Sequence, residues 1–389
     1  MIVVFGILFF AVFYTYVGYA LLIAVLSVFW ARKKQKTIHL PERKLPEICL
    51  FITAYNERPI LQEKIENCLN LDYPKDKLKI VFVTDGSTDG SEVFLKQFPE
   101  VTVYHDDERR GKINAMNRGM QFVTSPIVVF TDANTSLNPE ALKLMAYDFA
   151  DTKVGCVAGR KRVIDTETES AAEAGEGLYW KFESWLKQKD ARFYSAVGAV
   201  GELFAIRGNL FKPVEPDTIL DDLIISFRIV EQGYRLTYAP GAVASEKASI
   251  NVYEELKRKV RISAGGIQTL LRMPQLLNPF KNGRLAFQYF SHKVMRWTLA
   301  PWCFFLLFPV NTLIVAQHPD NLFFIAALMA QVLFYLAGIL GVISEMTKIK
   351  LKPAFIAYYF IAINLATIRG QFRYLKGKQP AAWDKARRI

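Results

Sequence analysis

Residues 2–30 form an almost uninterrupted apolar run without one charged side chain. As a single helix the run is long enough to cross roughly 30 Å of hydrocarbon. It ends in Phe29 and Trp30, an aromatic pair suited to a membrane–water interface, and passes into Arg32, Lys33, Lys34 and Lys36. Basic residues stay on the cytoplasmic side of a membrane segment, so this order places the next domain in the cytoplasm and the N-terminus outside, most simply at the plasma (inner) membrane. A cleaved signal peptide would need a basic leader and a small-residue cleavage site, and the segment has neither.

The rest of the chain divides by hydropathy. Over 389 residues, 51% hydrophobic content suffices for one sizeable soluble domain plus membrane segments. Residues 1–31 are the first membrane helix and 46–248 a soluble α/β domain. Residues 249–296 are basic and amphipathic, the pattern of helices lying on a lipid surface. Within 297–375, residues 297–316 and 322–344 are spanning candidates. The shorter apolar stretch 353–368 reads as interfacial or re-entrant, because spanning would put the basic tail 376–389, with Lys385, Arg387 and Arg388, outside. The formal net charge of +12 sits largely beside apolar segments, which marks membrane topology rather than a nucleic-acid surface. Cys49, Cys68, Cys156 and Cys303 are scattered, and the histidines lack metal-binding spacing, so neither a disulfide framework nor a zinc site is indicated.

Inside the soluble domain, 48–53 (ICLFIT), 80–83 (IVFV) and 127–130 (IVVF) are short continuous apolar runs, the pattern of buried parallel strands. Helical stretches at 57–71 and 111–123 alternate with them, which predicts a doubly wound sheet with ligands beyond the strands' carboxyl ends. Those ends carry Thr53-Ala54-Tyr55-Asn56-Glu57, Asp85-Gly86-Ser87 and Thr131-Asp132-Ala133-Asn134. A carboxylate at a strand end can accept from a ribose or base edge. Asp132, with a second oxygen ligand at Asn134, can hold Mg²⁺ or Mn²⁺ against a pyrophosphate. Each motif alone is an ordinary turn or helix cap.

The ordered combination is more specific. Thr-Ala-Tyr-Asn-Glu, Asp-Gly-Ser, Gly-Lys-x-x-Ala-x-Asn from Gly111, Thr-Asp-Ala-Asn, Gly201-Glu202-Leu203-Phe204-Ala205-Ile206-Arg207, Leu220-Asp221-Asp222 and Gln232-Gly233-Tyr234-Arg235 succeed one another along the chain. This series resembles the catalytic domain of glycosyltransferase family 2, with its GT-A fold, over residues 46–266. The membrane layout is similar to that of the processive synthases of hyaluronan, chitin, cellulose and poly-N-acetylglucosamine.

The resemblance implies an inverting transfer from a UDP-sugar donor. Thr53, Tyr55, Glu57 and Asp85 would contact uridine and Lys112 the donor, while Asp132 and Asn134 would lie at the metal. Asp222 would be the general base beside Asp221, and Arg258 and Arg261 would face the leaving diphosphate. Glu202, Phe204, Trp180 and Trp185 are the acceptor-side candidates. Inversion needs one carboxylate and no enzyme nucleophile. A metal and guanidinium groups can stabilise departing diphosphate in place of an acid.

Two motifs depart from the family pattern. Asn134 replaces a second acidic residue, and a neutral amide is a weaker cation ligand. Arg258 and Ile262 replace the glutamine and tryptophan of Gln-x-x-Arg-Trp, which removes an aromatic face from the acceptor side. Two readings of the product stand: a growing polysaccharide, with or without export, and single addition to a lipid or lipid-linked acceptor. A NAD-dependent oxidoreductase is disfavoured, since no GxGxxG comes after the first strand.

Overall fold

The computed structural model describes residues 1–30, 41–164, 171–247, 252–347 and 351–380. The basic residues Arg32, Lys33, Lys34, Lys36, Lys385, Arg387 and Arg388, and the junction at 248–251, lie outside the described residues.

One eight-stranded sheet carries the soluble domain: β1 (Ile48–Ala54), β2 (Leu78–Asp85), β3 (Val101–Asp106), β4 (Ile127–Asp132), β5 (Ser136–Leu137), β6 (Val154–Ile164), β7 (Leu203–Arg207) and β8 (Arg235–Lys247). Its order is β3-β2-β1-β4-β7-β6-β8-β5. The first three runs form the predicted parallel strands, each a little longer than its apolar stretch. They are apolar throughout because helices cover both faces of the sheet, and a hydrophobic cluster lies on each side.

Register fixes where the chemistry falls. Thr53 of β1 pairs with Asp132 of β4, Ala54 with Thr84, and Asp85 with Asp106, so the three strand-end motifs share one edge. β7 then runs antiparallel to β4 with Leu203 opposite Thr131, which brings Glu202 beside the Asp132 turn. Phe204 goes the other way. It is 1% exposed and packs in the core with its ring 4.9 Å from that of Phe130, so it is not on the acceptor side.

Among the described residues, three helices are long and apolar enough to cross a membrane: Ile2–Phe29, Leu299–Gln317 and Leu322–Thr347. The helix Lys352–Leu375 is longer than its apolar stretch suggested, about 36 Å. It packs along Leu322–Thr347, where a Cβ at Gly341 would come within 2.3 Å of the Ala354 carbonyl oxygen. Farther along, Gly370 lies against Val260 and Ser263 of the helix Val252–Arg272. Within that basic helix only Tyr253, Lys257 and Leu271 are exposed. The face expected to meet lipid is therefore covered by protein, and the helix is an internal strut between the soluble domain and the last helix. Next along the chain, the helix Pro279–Tyr289 kinks at Gly283, whose φ is +32°.

Candidate active site

The donor-side edge is held by short polar contacts. Asp85 accepts main-chain N–H bonds from Arg110 (3.2 Å) and Gly111 (2.6 Å). Gly86 has φ +64°, and a Cβ there would lie 2.6 Å from the Arg109 nitrogen, so only glycine lets loop 107–111 close over β2. After β1, the Asn56 side chain accepts from the Thr88 N–H (2.8 Å), and Ser87, Ser91 and Asp89 accept from the N–H groups of Asn56, Glu57 and Arg58. These contacts present Tyr55 with the Arg109 guanidinium 4.0 Å above its ring, a planar wall for a base.

Lys112 opens its helix just after Gly111 and bridges the two sides. Its Nζ lies 2.9 Å from Asp132 Oδ1 and 3.1 Å from Asp221 Oδ2. Burial opposes the Lys112 charge, but Asp132 and Asp221 outweigh it and hold its pKa above the ordinary lysine value. Asp221 and Asp222 occupy the first turn of the helix Asp221–Glu231, where the helix dipole favours negative charge. The pair is split. Burial would raise Asp221, yet Lys112 and Arg261 outweigh it and hold its carboxyl low. Asp222 is pushed up to about 6, by burial first and then by the like charge of Asp221.

Beside them lies a buried ionic cluster. Lys161 Nζ is 2.8 Å from Glu202, 2.6 Å from Glu246 and 3.7 Å from Glu176. Arg258 reaches Glu202 at 2.5 Å and Glu176 at 3.5 Å. Glu202 thus lines the cleft with its Oε1 already held by Lys161 and Arg258, and those cations, outweighing burial, keep its carboxyl well below the usual range. Asn134 gives its amide nitrogen to Glu246 at 3.1 Å. Arg261 donates to the Ile219 carbonyl at 2.8 Å, just ahead of Asp221, and burial lowers its pKa.

These elements enclose a cleft of about 570 Å³. Thr53, Tyr55, Glu57, Asp85, Lys112, Asp132, Asn134, Trp180, Glu202, Asp221, Asp222, Arg258 and Arg261 all line it; Phe204 and Trp185 do not. Trp180 and Trp185 share the helix Ala171–Phe193, but five residues turn the second ring about 140° round the axis. Trp185 is 37% exposed and stacks on Phe182 instead.

Among the lining residues that escaped the sequence reading are Glu183, Lys187, Glu246, Lys293 and Trp297. Trp180, Glu183 and Lys187 are spaced three and four apart on one helical stripe, a signal the sequence does carry. Glu183 pairs with Lys293 and lies 3.2 Å from both His292 and Arg296. His292 continues to Asp190 at 2.6 Å, and Asp190 to the Tyr19 hydroxyl of the first membrane helix at 2.5 Å. Trp297 lies against Gly266, where a Cβ would be 2.5 Å from its ring. It therefore brings an aromatic face within one helical turn of Ile262.

A GT-A sheet with carboxylates gathered at its strand ends, next to apolar helices, defines a membrane-associated sugar-transferring enzyme. Residues 49–214 match the model of Glycosyl transferase family 2, so this part of the chain is a family 2 glycosyltransferase domain; the chain is an enzyme that transfers sugar and is similar to polysaccharide synthases. A probable glycosyltransferase, YdaM, of Bacillus subtilis (strain 168) is 22% identical over 377 residues, covering 89% of this chain and 88% of that protein. The poly-beta-1,6-N-acetyl-D-glucosamine synthase of Staphylococcus aureus (strain COL) is 27% identical over 255 residues, 62% of this chain and 60% of the synthase's length. Among solved structures, the mannosyltransferase PcManGT of Pyrobaculum calidifontis, in complex with GDP-Man and Mn²⁺, superimposes with a TM-score of 0.72 at 22% identity. It covers 97% of this chain and 99% of that one, and bears out the fold.

Proposed function

We propose that the chain catalyses inverting transfer of a sugar from a UDP-sugar to a growing polysaccharide at the cytoplasmic face of a membrane. The observation that carries this reading is the meeting of Asp132, Lys112, Asp221, Asp222 and Arg261 in one cleft.

Asp222 takes the proton from an acceptor hydroxyl as that oxygen attacks the anomeric carbon. The bond from that carbon to the diphosphate oxygen breaks, and the nucleoside diphosphate leaves with the bonding pair. A carboxyl raised to about 6 is a stronger base than an ordinary aspartate and is still ionised at neutral pH. Asp221, held low by Lys112 and Arg261, keeps the neighbouring negative charge that raises it. Lys112 and Arg261 meet the negative charge that develops on the diphosphate.

Among the described residues no three His, Cys, Asp or Glu side chains form a ready metal cage. A hard cation such as Mg²⁺ is commonly held by one or two carboxylates together with substrate phosphates. Asp132, with Asn134 as a neutral second ligand, would hold such an ion, which neutralises diphosphate charge when bound. The Mn²⁺ in the Pyrobaculum mannosyltransferase supports the reading.

The donor assignment is tested by a thermal-shift panel of UDP-, GDP- and CDP-sugars with and without Mn²⁺. Stabilisation by UDP-sugars is expected, and a response to GDP-sugars alone would overturn it. Single addition to a lipid-linked acceptor is the second reading, favoured by Ile262 in place of an aromatic residue. Trp297 and Trp180, both lining the cleft, restore aromatic faces for a sugar and favour the polymer. Sizing labelled product separates them: a ladder means extension, one discrete product means single addition.

A further inference from the structure

A buried lysine with no carboxylate in contact is costly to keep charged. Lys187 is 4% exposed, lines the cleft, and donates from Nζ to the carbonyls of Gly198 (2.9 Å) and Ala199 (3.0 Å). The same short loop is gripped from its other side by the helix Asp221–Glu231. The Ala199 N–H donates to Ser226 Oγ at 3.1 Å. Gly198, at φ +83°, sits where a Cβ would lie 2.5 Å from Leu223 Cδ1. At the loop's end Gly201 faces the base, since a Cβ there would meet Asp222 Oδ2 at 3.6 Å. Loop 197–201 is therefore clamped between the Lys187 ammonium and the helix that carries Asp221 and Asp222.

We propose that Lys187 is a positioning residue for sugar transfer, pinning loop 197–201 as the wall against which the acceptor hydroxyl is presented to Asp222. The inference rests on the reading of Asp222 as base. Lys187 has its pKa lowered to about 8 by burial first, then by the like charge of Lys293, with Glu183, Asp222 and Glu202 acting in the opposite direction. It is thus mostly charged at neutral pH and acts on Asp222 as a nearby cation, opposing the upward push of burial and Asp221.

The test combines hydrogen–deuterium exchange with kinetics on the full chain in nanodiscs, with UDP-N-acetylglucosamine as donor and Mn²⁺ present. K187M is expected to speed exchange in peptides covering 195–204 and to leave those covering 127–135 unchanged. It should lower kcat by about tenfold or more at unchanged donor KM, as misplacement of a reacting group does. Its acid limb should move above that of the wild type, because removing a cation raises Asp222 further. K187R should restore the limb. S226A, which frees the Ala199 N–H, should loosen the same peptides and lower kcat without moving the limb.

A folded K187M with unchanged loop exchange overturns the proposal, and that arm needs no turnover. A loosened loop with unchanged kcat and limb overturns it as well. If K187M does not fold, S226A decides, and wild-type kcat in a loosened S226A defeats the role of the loop. D222N at wild-type rate would defeat the base reading itself, whereas an inert D222N beside an unaffected K187M defeats the lysine's role alone.

Discussion

The two halves of the cleft are built in different ways. The donor half is three parallel strand ends and their adjoining loops, zipped by main-chain N–H groups to Asp85, Asn56, Ser87, Ser91 and Asp89. The acceptor half is held by buried charges from segments far apart. Glu183 lies among His292, Lys293 and Arg296, and Lys161 among Glu176, Glu202 and Glu246. A zipper of separate main-chain bonds loses one contact at a time. A buried ionic network strands its remaining charges when one member goes.

That contrast is open to attack by mutation. Glu183→Ala leaves Lys293, His292 and Arg296 without their shared carboxylate, so it should destabilise the protein by about 3–5 kcal/mol, seen as a lower unfolding temperature in detergent. Unchanged melting would mean that the acceptor half is not an integrated network. Tyr55→Ala should behave in the opposite way, with unchanged melting but nucleotide binding weaker by about 1–3 kcal/mol, the worth of one stacked base. Calorimetric titration with UDP reads the difference.

The pH profile probes the seam between the halves. A carboxyl raised to about 6 becomes protonated as pH falls through that value, while an ordinary aspartate stays ionised. The acid limb of kcat/KM should therefore bend near pH 6 and lose about tenfold per unit below it. A bend near pH 4 would remove Asp222 from the base position. The smallest effect belongs to Trp185→Ala, outside the cleft, which should leave turnover unaltered and stability within about 0.5 kcal/mol.

The same division separates the residues that could be foreseen from those that could not. The donor half was legible because Thr53, Tyr55, Asp85 and Asp132 each stand next to the strand end that positions them. The acceptor half was legible only on one side. The Trp180, Glu183 and Lys187 stripe is local, but Lys293 lies 110 residues from Glu183, and no short pattern links them. Phe204 was misplaced because every residue of β7 from Leu203 to Ile206 is buried, which erases the alternation that separates core from cleft. The helix Val252–Arg272 has a genuine amphipathic pattern, yet hydropathy cannot tell a lipid surface from the helix Lys352–Leu375 that covers it.

Asp222→Asn measured for binding and transfer together tests the account at its centre. The amide keeps the side chain's size but cannot take a proton. The variant should bind nucleotide-sugar as the wild type does and transfer sugar about 10²–10⁴-fold more slowly. Transfer at close to the wild-type rate, with binding intact, would contradict the assignment of the base and with it the chemistry given to the cleft.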